Sequence, residues 1–164
     1  MKKRLLLVRH AQTENFGIDD FSRKLTEKGI FDARKVGKIL AERGLKPEMI
    51  YSSSANRALA TARLIAEQTE FPASHIEFSD DLYFSSPDKL MRFVNKLPNE
   101  MSFVLLVNHN PTITLFAELL IGYTIPMMQP ASMAILSFNT ENWSHISEHT
   151  AALEQIINPD EILL

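Results

Sequence analysis

Two hydrophobic rhythms alternate along the chain. Short, nearly unbroken apolar runs stand at residues 5–8 and 103–107, with a shorter one at 49–52. Such runs, bounded by polar residues, read as buried strands. Helical spacing separates them. Thr26 can cap a helix running to about Arg43, with Ile30, Ala33, Val36 and Leu40 on one face and Gly44 as its stop. Residues 55–68 read as a second helix that turns Ala58, Ala62, Ile65 and Ala66 inward. Residues 76–78 suggest a third strand. Ser86-Pro87-Asp88 combines an N-cap, a first-turn proline and an acid, opening a helix to about Asn95. Asn110-Pro111 opens another that ends near Gly122. Residues 132–138 alternate as a strand, and residues 143–150 read as its antiparallel neighbour. Residues 17–24 read as a polar loop. The tail, 151–164, reads either as a docked edge strand or as a loose end.

Alternating strands and helices define an α/β fold: a single three-layer α/β/α domain over residues 1–164 with a mostly parallel sheet. The length of 164 residues suits one core, and a hydrophobic content of 45% is that of a folded globule.

Charge and composition narrow the chemistry. The net charge of −3 provides no general basic field for nucleic acid, so any positive site is local. The absence of cysteine excludes disulfides, thiolate metal sites and a cysteine nucleophile. Lys2-Lys3-Arg4 ahead of an apolar run superficially resembles a leader, but the run stops at Arg9 and no small-residue cleavage site follows. No apolar stretch is long enough to span a bilayer. The expectation is a cytoplasmic protein that binds neither membrane nor nucleic acid.

Three predicted strands end in chemistry. The first ends in Arg9-His10, the second runs into Ser52-Ser53-Ser54-Ala55-Asn56-Arg57, and the fourth ends in Asn108-His109-Asn110-Pro111. In a parallel sheet these ends share one edge, where open α/β sheets bind ligands. Each residue alone has an ordinary explanation: a satisfied core histidine, a solvated arginine. Together, two imidazoles and two guanidiniums repel one another unless an anion joins them. Guanidiniums fork onto phosphate oxygens and helix N-termini offer free N–H groups, so a phosphoryl group is the expected guest.

These motifs resemble the histidine phosphatase superfamily: Leu7-Val8-Arg9-His10-Ala11, then Ser53-Ser54-Ala55-Asn56-Arg57-Ala58-Leu59-Ala60-Thr61-Ala62, then Val107-Asn108-His109-Asn110-Pro111. Small size, Leu25-Thr26-x-x-Gly29 and Leu82-Tyr83 resemble the SixA-like phosphohistidine phosphatases. The resemblance implies a phosphoglycerate mutase-like fold and a metal-independent phosphatase that needs no cofactor. It implies that His10 is the nucleophile, that Arg9 and Arg57 clamp the phosphoryl oxygens, that His109 donates to them, and that Arg23 lies near the phosphate. The partner it implies is a phosphorylated protein carrying phosphohistidine, on a signalling or phosphocarrier protein, or a small phosphate ester. Gln12-Thr13-Glu14 departs from the SixA-like pattern toward the mutase-like one. Asn108 replaces the usual small residue, and Lys24 stands where a proline is common.

The general acid has two candidates, Asp80 and Asp81, whose other reading is a solvated turn ahead of Leu82. An imidazole leaving group tolerates a missing acid better than an alkoxide, because it can leave as a neutral ring when its distal nitrogen already carries a proton. Three other readings stand beside this one. A small phosphorylated metabolite could be the substrate, or the pocket could bind without chemistry, although His10 is present. His145-Ile146-Ser147-Glu148-His149 spells an inverted zincin motif, which requires a helix. On the strand predicted here its imidazoles would lie about 13 Å apart, too far for one metal. Phe16 and Phe21 read as packing or cover, and Met127-Met128 as a packed loop.

Overall fold

The computed structural model describes residues 2–15 and 19–162. Six strands form one sheet in the order β3-β2-β4-β1-β5-β6. The strands are β1 (Lys3–Arg9), β2 (Met49–Ser53), β3 (Glu77–Ser79), β4 (Phe103–Asn108), β5 (Met133–Phe138) and β6 (Ala151–Ile157). β1, β2, β3 and β4 run parallel, while β5 and β6 run antiparallel to their neighbours. The helices are α1 (Glu27–Glu42), α2 (Asn56–Thr69), α3 (Asp80–Tyr83), α4 (Pro87–Asn95) and α5 (Thr112–Ile121). No helix among the described residues is long and apolar enough to cross a membrane.

The unbroken apolar runs follow from burial on both faces of the sheet. Successive side chains of β1 point to opposite faces. Leu6 and Val8 pack with Val36, Leu40, Ile65 and Leu105 on the α1–α2 side. Leu5 and Leu7 pack with Leu90, Leu106, Phe116 and Leu120 on the α4–α5 side. A strand buried on only one face would show a polar residue at every second position. Each fully buried leucine contributes about 1.5–3 kcal/mol.

Parallel pairing then sets the edge. Arg9 lies opposite Asn108 on β4, and Ser52 lies opposite Val107. The carboxyl ends of β1, β2 and β4 therefore come level. The chain after β1 folds back on α1: Thr26 donates its backbone N–H to Gln12 O at 3.0 Å, and its side chain caps Gly29 N at 3.0 Å. A Cβ on Gly29 would meet Gln12 O at 2.2 Å, so only glycine lets the helix start so close to the segment beyond His10.

Residues 143–150 are not a strand. Trp143–His145 forms a single 3-10 turn, and β5's partner is β6, drawn from the segment whose role was open. Trp143 is fully buried and donates Nε1–H to Met101 O at 2.7 Å, while Asn99 Oδ1 and Asn95 Nδ2 bond its backbone. A large side chain anchored at the sheet's lower end holds this segment off the ladder. His145 and His149 therefore share neither a helix nor a strand, and the zincin geometry is missing. Of the methionine pair, Met128 is buried and Met127 exposed. Phe16 and the first residues of the predicted 17–24 loop lie outside the described residues. The remainder of that loop is a turn that packs on α2.

Candidate active site

His10 leaves the end of β1 and is buried. Its Nδ1 lies 2.8 Å from Ala11 O. A carbonyl only accepts, so Nδ1 carries the proton and Nε2 keeps its lone pair. Burial, then the nearby His109 and the charges of Arg57 and Arg9, push its pKa down to about 3, against the opposing bond to Ala11. The ring is therefore neutral at physiological pH. The Ala11 N–H donates to Thr61 Oγ1 at 2.9 Å, and that hydroxyl donates to Arg57 O at 2.8 Å. Thr61 thus couples the residue after His10 to the first turn of α2, where Arg57 sits.

His109 follows β4. Its ring centroid lies 5.3 Å from that of His10, and its Nε2 lies 2.7 Å from Ser53 Oγ at the end of β2. Burial, then the charge of Arg57, lower its pKa to about 4. Asn108, the departure from the resembling pattern, acts as a bracket. Its Nδ2 donates to Leu82 O at 2.9 Å, and its Oδ1 accepts from Ser85 Oγ and from the His109 N–H. The amide fixes α3 against the sheet edge, a tie that a smaller residue cannot make.

Arg9 is half-buried and donates Nη1–H to Met128 O at 2.8 Å. Burial lowers its pKa. The cluster keeps unused hydrogen-bonding capacity: Arg9 Nε, Arg57 Nε and His109 Nδ1 are buried with no partner among the described residues. Buried polar atoms are normally paired, so an unpaired set around His10 calls for a polar guest.

The cationic cluster does hold one anion, and the sequence reading assigned it no role. Arg57 gives Nη1–H to Asp20 O at 2.6 Å and Nη2–H to Asp20 Oδ2 at 3.0 Å. Tyr83 donates its hydroxyl to the same Oδ2 at 2.6 Å. The Tyr83 bond first, and then Arg57, hold the Asp20 carboxyl down at about 2, so it is ionised. Arg23 touches Asp20 Oδ1 at 3.3 Å, gives Nε–H to Glu14 O and bonds Thr13 Oγ1. It reaches Arg57 through Asp20 rather than directly. Phe21 packs edge-on to Tyr83 at 5.3 Å and is exposed at the rim. Asp20 was hidden because one acid in a polar loop carries no pattern; its signal lies in the reach of Arg57 and Tyr83.

Among the described residues no hydrogen bond or ion pair joins Asp80 or Asp81 to His10, His109 or an arginine. Asp80 Oδ1 accepts from Ser54 Oγ at 2.5 Å, and Asp81 lines a separate cleft of about 290 Å³ with Ser85, Lys89 and Arg92. Both stand in the first turn of α3, whose N-terminus is capped by Ser79. The start of α2 is also less open than expected. The Asn56 N–H bonds Phe21 O at 3.0 Å, so the loop covers that donor.

The two depressed histidines make stability depend on pH. Both bind protons more weakly in the fold than the ordinary 6.5, so the unfolded chain takes up protons first as pH falls. Their contribution is complete above about pH 6.5 and declines toward pH 4 and 3. Thermal unfolding followed by circular dichroism is expected to show a midpoint that drops between pH 7 and 4. The drop should be shallower in a His10→Asn variant; an equal slope would mean that His10 is not held neutral.

Residues 5–83 match the sequence profile of the histidine phosphatase superfamily (branch 1), and the fold over nearly the whole chain is that of its solved members. In sequence over residues 5–83, and in fold over nearly its whole length, the chain is similar to the histidine phosphatase superfamily. The structure of the putative phosphohistidine phosphatase SixA from Nakamurella multipartitia superposes with a TM-score of 0.79 at 25% identity, covering 97% of each chain. The corresponding SixA structure from Agrobacterium tumefaciens gives 0.82 at 24%, covering 97% of this chain and 99% of that one. An uncharacterised chloroplastic protein of Arabidopsis thaliana is 25% identical over 98% of this chain and 79% of its own length. The 2,3-bisphosphoglycerate-dependent phosphoglycerate mutase of Nocardia farcinica is 31% identical, but over 40% of this chain and 29% of the mutase.

Proposed function

We propose that this chain is a phosphatase in which His10 Nε2 accepts a phosphoryl group, and that its substrate is phosphohistidine on a signalling or phosphocarrier protein in the cytoplasm. The observation that carries the reading is the His10 ring: neutral, its Nδ1–H fixed on Ala11 O, and placed beside His109 and the charge of Arg57. A neutral imidazole with a free nitrogen is a nucleophile, and phosphoryl transfer otherwise asks for positioning and charge stabilisation. Arg9, Arg57 and His109 supply these, with Arg23 supporting the loop beside them.

The leaving group follows from the carboxylates. Asp20 is ionised, Asp80 is bonded to Ser54, and Asp81 faces another cleft. Asp20, the carboxylate on Arg57, therefore offers no proton to an alkoxide at neutral pH. An imidazole protonated on its distal nitrogen departs as a neutral ring without such help. The exposed rim of Phe21 and Phe84, with no long insertion over it among the described residues, suits a substrate residue presented on a protein surface. Turnover measured on phosphohistidine proteins and on alkyl phosphates is expected to favour the former by at least about tenfold, taking the low end of what acid catalysis is worth to a poor leaving group. A preference for alkyl esters would replace this reading with a metabolite phosphatase.

A further inference from the structure

We propose that Asp20 is the base of the second half-reaction, held on Arg57 until a phosphoryl group takes its place. The proposal rests on phosphorylation of His10. Both terminal nitrogens of Arg57 are committed to Asp20, one to its carbonyl and one to its carboxylate. A phosphoryl group bound by that fork must displace the carboxylate. Tyr83 provides a second attachment at 2.6 Å, and its own ring lies edge-on to His109 at 5.6 Å. The displaced carboxylate therefore stays tethered at the site mouth. Its side chain is 52% exposed, so water reaches it there. The turn that carries it is closed locally, since Ser22 N–H bonds Asp19 Oδ1 at 2.8 Å. Small rotations of Asp20 leave that bond intact.

Two states with different basicity result. On Arg57 the carboxylate is a very weak base, as its low pKa records. Once the guanidinium turns to the phosphoryl oxygens, that stabilisation is lost and a second negative charge lies nearby. Both changes raise its affinity for a proton. In the first half-reaction a bond forms between His10 Nε2 and phosphorus while the bond from phosphorus to the substrate nitrogen breaks. In the second, water oxygen bonds phosphorus, the phosphorus–Nε2 bond breaks, and its electron pair returns to Nε2. The water proton passes to Asp20. Because Nδ1 keeps its proton on Ala11 O throughout, His10 leaves as a neutral ring. Asp20 then releases its proton to solvent and returns to Arg57.

The test separates the two half-reactions. Wild type, Asp20→Asn, Asp20→Glu and His10→Ala are mixed with phosphoramidate, a donor whose leaving group is nitrogen, and quenched in alkali. Asp20→Asn is expected to show a burst approaching one phosphoryl group per site, followed by steady turnover lowered about 10²-fold, the lower range for a general base. Asp20→Glu is expected to recover part of the steady rate. Loss of burst and turnover together would overturn the proposal, leaving Asp20 as a support for Arg57. Wild-type behaviour of Asp20→Asn would overturn it too. Absence of label on folded wild type, with His10→Ala indistinguishable from it, would instead remove the phosphoryl-histidine reading itself.

Discussion

His10→Ala is expected to lower phosphatase turnover by on the order of 10⁴-fold or more and to leave no phosphoryl group on the protein. The size follows from the loss of the only route in which one transfer is split into two. Arg9, Arg57 and His109 would still gather around a phosphoryl group, but no nitrogen would receive it. The fold should persist. His10 sits at the end of β1, and its ring makes one hydrogen bond, to the adjacent residue. The variant also removes a buried imidazole that resists protonation, so its unfolding midpoint should hold up better than wild type in acid. Circular dichroism beside a steady-state assay separates lost chemistry from lost structure. Residual turnover within about tenfold of wild type would show that another group carries the nucleophilic step.

The parts of this site legible in the sequence are those imposed by the sheet. Arg9, Ser53 and His109 follow apolar runs whose burial on two faces dictated parallel strands, so their meeting at one edge came from pattern alone. Arg57 was legible for the same reason, as the first turn of a helix entered from β2. Asp20 and Tyr83 were not. Each belongs to a segment without periodicity, and their pairing spans 63 residues. The need for an anion was nevertheless visible, since converging cations repel; what the sequence could not say was that the chain brings its own. The misread strand at residues 143–150 has a similar cause. A tryptophan in an apolar stretch looks the same whether it packs on a sheet or plugs the end of one, and only the bond to Met101 O distinguishes them.

Arg57→Ala should cost turnover about 10²–10³-fold, the range for removing one preorganised charge stabiliser. Two effects add. The phosphoryl oxygens lose a buried forked donor, and Asp20 loses the partner that neutralises it. The freed carboxylate remains tied to Tyr83 and Arg23, close to where negative charge must gather. Substrate affinity is therefore expected to fall along with the rate, and Asp20→Asn placed on top of Arg57→Ala should recover part of the affinity by removing that repulsion. Arg57→Lys should restore little. A lysine carries the charge, yet its single ammonium cannot hold two oxygens of one group in the plane of a fork. Steady-state constants for the four proteins decide the matter. If lysine restored full activity, charge without geometry would suffice. If the double variant bound substrate no better than Arg57→Ala, Asp20 would not compete for the site that Arg57 serves.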